Sequence, residues 1–285
     1  MNIVNKKLLT AASFVAIFSL HLFTATAQVP AGAVKSNSNT SLDQYFTPAT
    51  EGEMKPDAEG FIRRWLLLEP ISNPNRSNTV FTDSYIREAF AKEYFKDQFT
   101  ILPKDGDKVT VTVPKAAPAT GRGGMGGFPG GGMPGQAPAA PAAQRVPAAP
   151  AAPEMEKVKL QWHALESTRF NVKLFRFATN LTPNKYGVIF WAVTVINAPE
   201  EIKNVRMAVG SNSASMWWLN GEEAVILSGD RRMVADDCVS GRLTLKQGKN
   251  IVRGAVINGP GMSDFCLRFL DENGQPLKGI TISYK

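Results

Sequence analysis

The chain reads Ser215-Met216-Trp217-Trp218-Leu219-Asn220-Gly221 and continues at once with Glu222-Glu223-Ala224-Val225-Ile226-Leu227. Two apolar, β-prone runs therefore meet at an Asn-Gly pair. Asn and Gly both tolerate the positive φ angles of a type I′ turn, and this dipeptide between hydrophobic runs is a strong hairpin signal. The stretch predicts a β-hairpin at the centre of the fold.

The alternation of side chains along a strand separates the two tryptophans of this hairpin. Successive side chains point to opposite sides, so Trp217 shares a face with Ser215 and Leu219, and Trp218 shares the other face with Met216. We expect Trp217 on the core face of the sheet. Trp218 then lies on the opposite face.

The N-terminal residues have the organisation of a secretory signal peptide. Lys6 and Lys7 precede an apolar run from Leu8 to Phe23, and Ala25-Thr26-Ala27 has the small-x-small pattern of a cleavage site. We expect residues 1–27 to be removed and the mature protein to be exported to the periplasm or beyond the cell. No later run approaches the ~20 apolar residues of a spanning helix. No membrane span is therefore expected, and an uncleaved anchor is the alternative.

Charge argues against nucleic acid as a partner. The formal net charge is +7, and basic residues are scattered singly except for Lys6-Lys7, Arg63-Arg64 and Arg231-Arg232. A nucleic-acid-binding protein usually has a longer basic run or a basic stripe with interleaved aromatic residues. We therefore expect no nucleic-acid partner.

The chain has two cysteines, Cys238 and Cys266, both inside β-like runs. An exported protein meets an oxidising compartment, in which a disulfide between them would persist. Alternatively both are small buried apolar side chains. The sequence leaves both interpretations open because it does not give the Cα separation on which a disulfide depends.

The mature chain begins with a polar segment. Residues 28–57 are rich in Asn, Ser, Thr and Pro, which predicts a loosely ordered leader. One folded domain is expected over residues 58–285. It opens with a strand at Phe61–Leu68 that is dense in apolar residues and ends before Pro70, because proline cannot donate to a strand ladder.

One short helix is predicted on the sheet. Apolar residues recur at helical spacing between Asp83 and Phe95, and the side chain of Asp83 or Ser84 could cap the first turn.

Residues 115–153 consist mainly of Ala, Pro and Gly. Such a segment buries too little apolar surface to offset its ordering entropy, so we expect it to be disordered. A domain linker is one interpretation, but strand-like runs flank it directly, Val109–Val113 before and Val158–Trp162 after. We therefore expect an insertion at the tip of one hairpin, since each doubling of loop length costs only ~0.6 kcal/mol.

Beyond the insertion the β-signal is nearly continuous. Strand-length runs alternate with turn residues, with almost no helical stretch among them, which predicts an all-β sandwich or jelly roll. The predicted strands are Asn171–Ala178, Gly187–Ile196, Asn204–Val209, Met216–Leu219, Glu223–Leu227, Arg242–Leu245, Ile251–Ile257, Asp264–Leu270 and Ile280–Tyr284.

These motifs, in this order, resemble the galactose-binding-like β-sandwich domain. Its members have a glycine-led loop, a W-L-N-G hairpin, an Arg/Asp loop, an L-x-K-G-x-N turn and a closing strand ending in D-x-x-G. The matching residues here are Gly210-Ser211, Trp218–Gly221, Asp230-Arg231-Arg232 with Asp236-Asp237, Leu243–Gly248 with Asn250, and Val256–Asp271. Phe61–Pro70 is similar to the first strand of such domains, and the resemblance spans roughly residues 60–285 without the insertion.

The resemblance implies a galactose-binding-like jelly-roll sandwich that binds carbohydrate without catalysis, as an accessory of secreted polysaccharide-degrading enzymes. Whole-chain relatives of this type are sometimes labelled acetylxylan esterases. The present chain departs from that label because it carries no large second domain in which an esterase could reside.

The sequence offers little catalytic chemistry. A serine esterase needs a serine activated by a histidine, but His163 is the one histidine left after signal removal, and it lies in a predicted strand. Residues 210–214 lack the second glycine of a Gly-x-Ser-x-Gly elbow. One histidine also leaves too few good ligands for catalytic zinc. We expect no catalytic residue.

Asp236 and Asp237 are adjacent, and their side chains would diverge in an extended segment. They therefore do not suit the paired carboxylates of a glycosidase. We expect them to fix a loop or to bind a cation, which leaves a structural calcium ion as the one cofactor considered.

Trp218 is the predicted ligand platform, because aromatic faces stack on sugar rings. Asn220, Arg231, Arg232 and Asp236 are the predicted hydrogen-bonding residues around it. The alternative is a covered Trp218 beside solvated charges. Three functions stay open: an exported carbohydrate-binding or accessory module, a carbohydrate esterase with an atypical site, and an envelope scaffold protein.

Overall fold

The computed structural model describes residues 42–72, 81–115, 154–179, 181, 187–212, 214–229, 231–257 and 263–285. The predicted signal peptide, the first part of the leader and the insertion beyond residue 115 lie outside these ranges.

The described elements are almost all strands. In chain order they are a 3₁₀ turn Leu42–Gln44, β1 Phe46–Pro48, β2 Arg64–Leu68, α1 Asp83–Ala91, β3 Lys108–Pro114, β4 Met155–Ser167, β5 Val172–Lys173, α2 Leu174–Phe177, β6 Ile189–Ala198, β7 Ile202–Ser211, β8 Ser215–Leu219, β9 Glu222–Leu227, β10 Cys238–Val239, β11 Leu243–Leu245, β12 Gly248–Ile257, β13 Asp264–Leu270 and β14 Thr281–Ser283.

The strands form two antiparallel sheets. The large sheet has the order β1-β4-β2-β6-β12-β8-β9, with β3 beside β4 and β14 beside β6. The small sheet has the order β10-β7-β13-β5, with β11 also paired to β7. The prediction of an all-β sandwich is confirmed.

The main core lies between the two sheets. Trp65 of β2, Trp217 of β8 and Phe265 of β13 meet there, with Trp65 and Phe265 edge to face at a centroid distance of 5.0 Å. Trp217 is fully buried, and its Nε1 donates to Oγ of Ser215. Burial of large aromatic side chains dominates the stability of such a core.

A second apolar cluster lies on the outer face of the large sheet. It is covered by α1, which buries Ile86 and Phe90, and by the irregular residues 92–103, here called the strap. The sandwich therefore has a third layer on this side, because alternating residues of the central strands are apolar on both faces.

The central hairpin forms as predicted. Asn220 and Gly221 have φ angles of 52° and 89°, the positive values of a type I′ turn. Trp217 faces the inter-sheet core and Trp218 faces the outer cluster. A register shift between these two residues makes β9 bulge, so that Trp218 pairs with Glu223.

The predicted helix ends too late and has the wrong cap. Oγ1 of Thr82, rather than Asp83 or Ser84, accepts from the amide of Tyr85. The helix stops at Ala91 because the backbone turns extended at Lys92. Phe95 is then free of the helix and packs against two tryptophans of the sheet.

The strand predicted at Asn171–Ala178 is also wrong in part. Val172–Lys173 form the short β5, and Leu174–Phe177 then turn into α2. One helical turn places Leu174 and Phe177 on the same side, and both are buried in the inter-sheet core.

Part of the predicted leader belongs to the sandwich. Strand β1 pairs with the end of β4, and Phe46 is buried against Phe177. Residues 42–57 therefore contribute an edge strand and core contacts, where the composition had predicted loose order.

The strands on either side of the insertion pair with each other. Strand β3 runs antiparallel to the first half of β4, with Val111 opposite Val158. The amide of Lys115 donates to the carbonyl of Glu154 at 2.7 Å, and the two side chains form an ion pair. Both ends of the insertion are thus held together, and its disorder remains a prediction.

Cys238 and Cys266 are both free thiols. Cys238 is opposite Val209 on one side of β7, and Cys266 is opposite Gly210 on its other side. The side chains of residues 209 and 210 point to opposite faces of β7. Strands β10 and β13 lie on either side of β7, and each is ~4.8 Å from it. The disulfide interpretation is therefore wrong, and the cysteines act as small apolar side chains.

Within the described ranges, no helix has the length and apolar character needed to cross a membrane.

Candidate functional site

The candidate site is built on the outer face of the large sheet. Strand pairing aligns Val193 of β6, Arg253 of β12, Trp218 of β8 and Glu223 of β9 in one row across the sheet. The neighbouring row contains Trp191, Ala255 and Met216.

The two tryptophans of these rows meet above β12. Trp191 and Trp218 are nearly parallel, with an interplanar angle of 12° and ring centroids 5.7 Å apart. The small side chain of Ala255 leaves room for this diagonal contact. Trp191 is buried and Trp218 is half-buried, so Trp218 forms the accessible end of the stack.

The strap covers the stack with two phenylalanines. Phe99 contacts Trp191 and Trp218 edge-on at centroid distances of 5.9 and 6.3 Å. Phe95 contacts Trp191 and Trp162 in the same manner. We call the set of five side chains the aromatic cluster: Trp162, Trp191, Trp218, Phe95 and Phe99. Phe99 is 38% exposed, so it forms the outer surface of the cluster.

Several buried donors on this face lack partners. Seven buried side-chain nitrogen or oxygen atoms have no hydrogen-bond partner among the described residues, and three of them share this face. They are Nε1 of Trp162, Nε1 of Trp191 and Nε of Arg253. A buried polar group without a partner is rare in native proteins and calls for an explanation such as a bound water, an ion or a ligand.

Among the described residues, the Arg253 guanidinium makes one hydrogen bond. Its Nη2 donates to the carbonyl oxygen of Ile101 in the strap. The side chain is 3% exposed, and burial lowers the pKa of its guanidinium below the usual value.

Asn220, predicted as a ligand residue, locks the hairpin onto β12. Its Oδ1 accepts from the amide of Ile251 at 2.8 Å, and its Nδ2 donates to Oδ1 of Asn250 at 2.9 Å. Both ends of the amide are thus engaged within the fold.

The predicted charged residues belong to a different surface. Residues 231–237 form a loop over the outer face of the small sheet, where the carbonyl of Val234 lies over Gly210 of β7. A Cβ at position 210 would lie 1.9 Å from that oxygen, which explains the glycine. Gly210 therefore belongs to a strand and not to the glycine-led loop that the resemblance implied.

The aspartates of this loop are bound by arginines. Nε of Arg268, in β13, donates to Oδ1 of Asp236 at 2.9 Å, and Nε of Arg231 donates to Oδ2 of Asp237 at 2.8 Å. Arg232 is exposed. In the part of the chain that the structure describes, no three His, Cys, Asp or Glu side chains are grouped as a metal site.

The structure therefore divides the predicted site. Trp218 and Asn220 lie on the central hairpin, whereas Arg231, Arg232 and Asp236 lie on the loop over the other sheet. Ligand binding by any of them stays a prediction, and the geometry favours Trp218 because it joins the aromatic cluster.

Four residues of this surface were not predicted from the sequence: Trp162, Trp191, Phe99 and Arg253. An arginine inside the apolar run Ile251–Ile257 was the available signal, since a charge is costly in a buried strand. Strand order, which a single sequence does not give, is what brings the two other tryptophans beside Trp218.

His163, the residue on which an esterase would depend, is 1% exposed. Its Nε2 lies 3.1 Å from Oε1 of Glu69, and its ring packs edge-on against Phe177. Within the described ranges it forms no hydrogen bond with a serine, threonine or cysteine side chain.

Comparisons with known proteins give only partial structural likenesses. No protein-family model matches the chain, and no curated protein matches it. A β-glucosidase from Kluyveromyces marxianus is 21% identical over 38% of this chain and 14% of its own, with a TM-score of 0.29. The PA14 domain of the antifreeze protein MpAFP is 9% identical over 32% of this chain and 53% of its own, with a TM-score of 0.24.

A third solved structure, the GH31 α-xylosidase from Xanthomonas citri, is 11% identical over 43% of this chain and 15% of its own, with a TM-score of 0.22. The chain thus spans well under two thirds of each of these proteins.

Proposed function

We propose that the protein binds carbohydrate at the aromatic cluster. It would act without catalysis, as an exported accessory module of a polysaccharide-processing system. Export rests on the signal peptide predicted at residues 1–27.

The observation that carries the proposal is the stacked pair of Trp191 and Trp218 beside unpaired N–H groups. An indole face offers a flat apolar surface to the C–H groups of a sugar ring, and N–H donors beside it suit the oxygens around that ring. Trp218 is the part of the stack that is open to solvent, and Phe99 covers the rest.

A glycan-array screen of the mature protein tests the proposal, followed by titration calorimetry with the best glycan. Trp218→Ala should weaken binding at least tenfold. The matched control is Phe170→Ala, because Phe170 is an aromatic residue, 41% exposed, that packs against Phe61 outside the cluster. This variant should bind like the parent protein.

Two results would overturn the proposal. The first is an array without any bound glycan, and the second is a Trp218→Ala variant that binds as tightly as the parent. Release of acetate from acetylated xylan by the purified protein would instead favour the esterase alternative.

A further inference from the structure

Arg253 is a buried cation without a counter-ion in the described protein. It is 3% exposed, and none of the ion pairs among the described residues includes it. A guanidinium stays protonated at any pH that a protein meets. The fold therefore holds a full positive charge beneath the strap, at a cost that the carbonyl of Ile101 offsets only in part.

A second arginine on this face is also buried, but it has a carboxylate partner. Arg64 of β2 is 1% exposed and also lies on the outer face of the large sheet. Its Nη2 lies 2.6 Å from Oε1 of Glu166, and it donates further to Oγ1 of Thr50. An arginine buried in this sheet can therefore be paired with a carboxylate, as Arg64 is, whereas Arg253 has no such partner among the described residues.

The nearest acidic residue in the row of Arg253 is already engaged. Glu223 lies on the far side of Trp218, two strands away, and pairs with Arg87 of α1. In the overlying strap, Glu93 and Asp97 are exposed, and Oε1 of Glu93 accepts from the amide of Asp97.

Among the described residues, the unpaired buried side-chain atoms of the site are all donors. Arginine and the indole N–H can donate but cannot accept, and the unpaired atoms are Nε of Arg253 with Nε1 of Trp191 and of Trp162. A sugar hydroxyl both donates and accepts, whereas a carboxylate only accepts. Charge-assisted hydrogen bonds from guanidinium to carboxylate are about twice as strong as neutral ones.

We infer that the site takes an acidic glycan, in which the carboxylate of a uronic acid pairs with Arg253 while its ring packs against Trp218. This inference rests on the proposed function and specifies its ligand. The carboxylate takes the place of the Ile101 carbonyl, and Phe99 moves off the tryptophan stack as the strap opens.

The test compares each acidic polysaccharide with its own neutral form. Polygalacturonate, alginate and glucuronoxylan are each assayed before and after reduction of the carboxyl groups to hydroxymethyl groups. Titration calorimetry of the mature protein should show at least tenfold tighter binding to one acidic polymer than to its reduced form. Arg253→Met should abolish that preference, and Arg253→Lys should restore part of it.

Arg242→Met is the matched control, because Arg242 is an exposed arginine outside the aromatic cluster. It should keep the preference of the parent protein. Circular dichroism and the unfolding midpoint show whether each variant is folded. If Arg253→Met does not fold, the binding preference of Arg253→Lys decides the test.

The outcomes separate this inference from the function on which it rests. Equal binding of acidic and reduced polymers, or binding of neutral glycans alone, overturns the inference and leaves carbohydrate binding intact. Loss of the preference in Arg242→Met but not in Arg253→Met overturns the assignment to Arg253. If no acidic polymer and no neutral glycan of the array binds, both proposals are wrong.

Discussion

The outer faces of the two sheets are both covered by irregular chain, the large sheet by the strap and the small sheet by loop 231–237. Arg268 of β13 pairs with Asp236 of this loop, and Arg231 pairs with Asp237 within the loop. Under the strap, Arg253 has no carboxylate partner among the described residues, and two indole N–H groups there are unpaired. The loop thus behaves as a structural cover, while the strap lies over groups that are suited to a ligand.

The first prediction concerns the core between the two sheets. Trp217→Ala should lower the free energy of unfolding by ~3–5 kcal/mol, the usual cost of truncating a fully buried aromatic side chain. Trp218→Ala should cost less than half as much, because Trp218 is half-buried. Urea unfolding of both variants measures the difference. A larger loss for Trp218 would mean that the aromatic cluster is a main source of stability and not a binding surface.

The placement of Trp217 and Trp218 on opposite faces could be predicted from the sequence, because period-two alternation alone separates them. The Asn220-Gly221 turn and the pairing of β3 with β4 could also be predicted, since each is a local pattern. Helix ends were less predictable. Asp83 and Ser84 are good capping residues, but so is Thr82, and the chain path into α1 decides which of them caps the helix.

The site was mostly beyond sequence reasoning. Trp162, Trp191 and Arg253 are distant in the chain, and they share a surface only because β4, β6 and β12 have a particular order in the sheet. Conversely, Arg231 and Asp236 are close to Trp218 in the chain, but the loop that contains them crosses to the other sheet. Proximity along the sequence therefore predicted neither the residues that lie beside Trp218 nor the residues that lie away from it.

The second prediction concerns Arg268 and Arg253, whose removal should have opposite effects on stability. Arg268→Met leaves Asp236 without its partner and should lower the free energy of unfolding by ~1–3 kcal/mol. Arg253→Met removes an uncompensated buried charge, so stability should be unchanged or higher. Chemical denaturation of both variants decides it. An equal loss in the two variants would show that Arg253 is as well satisfied as Arg268.

The third prediction concerns the insertion and tests whether the large sheet folds without it. Replacing residues 116–153 by Asn-Gly between Lys115 and Glu154 should leave one unfolding transition at or slightly above the parent midpoint. Each halving of the loop saves only ~0.6 kcal/mol of closure entropy, and β3 and β4 are already paired. Scanning calorimetry of the shortened protein, with the parent as control, measures this. Two transitions, or loss of folding, would contradict the insertion interpretation.

The fourth prediction is kinetic and concerns how often loop 231–237 opens and exposes the outer face of the small sheet. Cys266 is 1% exposed under this loop, and its Sγ lies 3.7 Å from Sδ of Met233. Burial raises the pKa of the Cys266 thiol to about 12. Because the folded pKa lies above the unfolded one, the neutral thiol favours the folded state at neutral pH. This contribution is lost as the pH rises from about 9 towards 12.

Native Cys266 should therefore react with a thiol reagent at pH 8 only through opening of the loop. Arg268→Met releases the loop from β13 and should raise the labelling rate several-fold, whereas Arg253→Met should leave it unchanged. Mass spectrometry of tryptic peptides distinguishes Cys266 from Cys238, whose pKa is also raised by burial. Equal acceleration of labelling by both substitutions would mean that the strap and loop 231–237 open together. The two segments would then not differ as a ligand-binding and a structural cover.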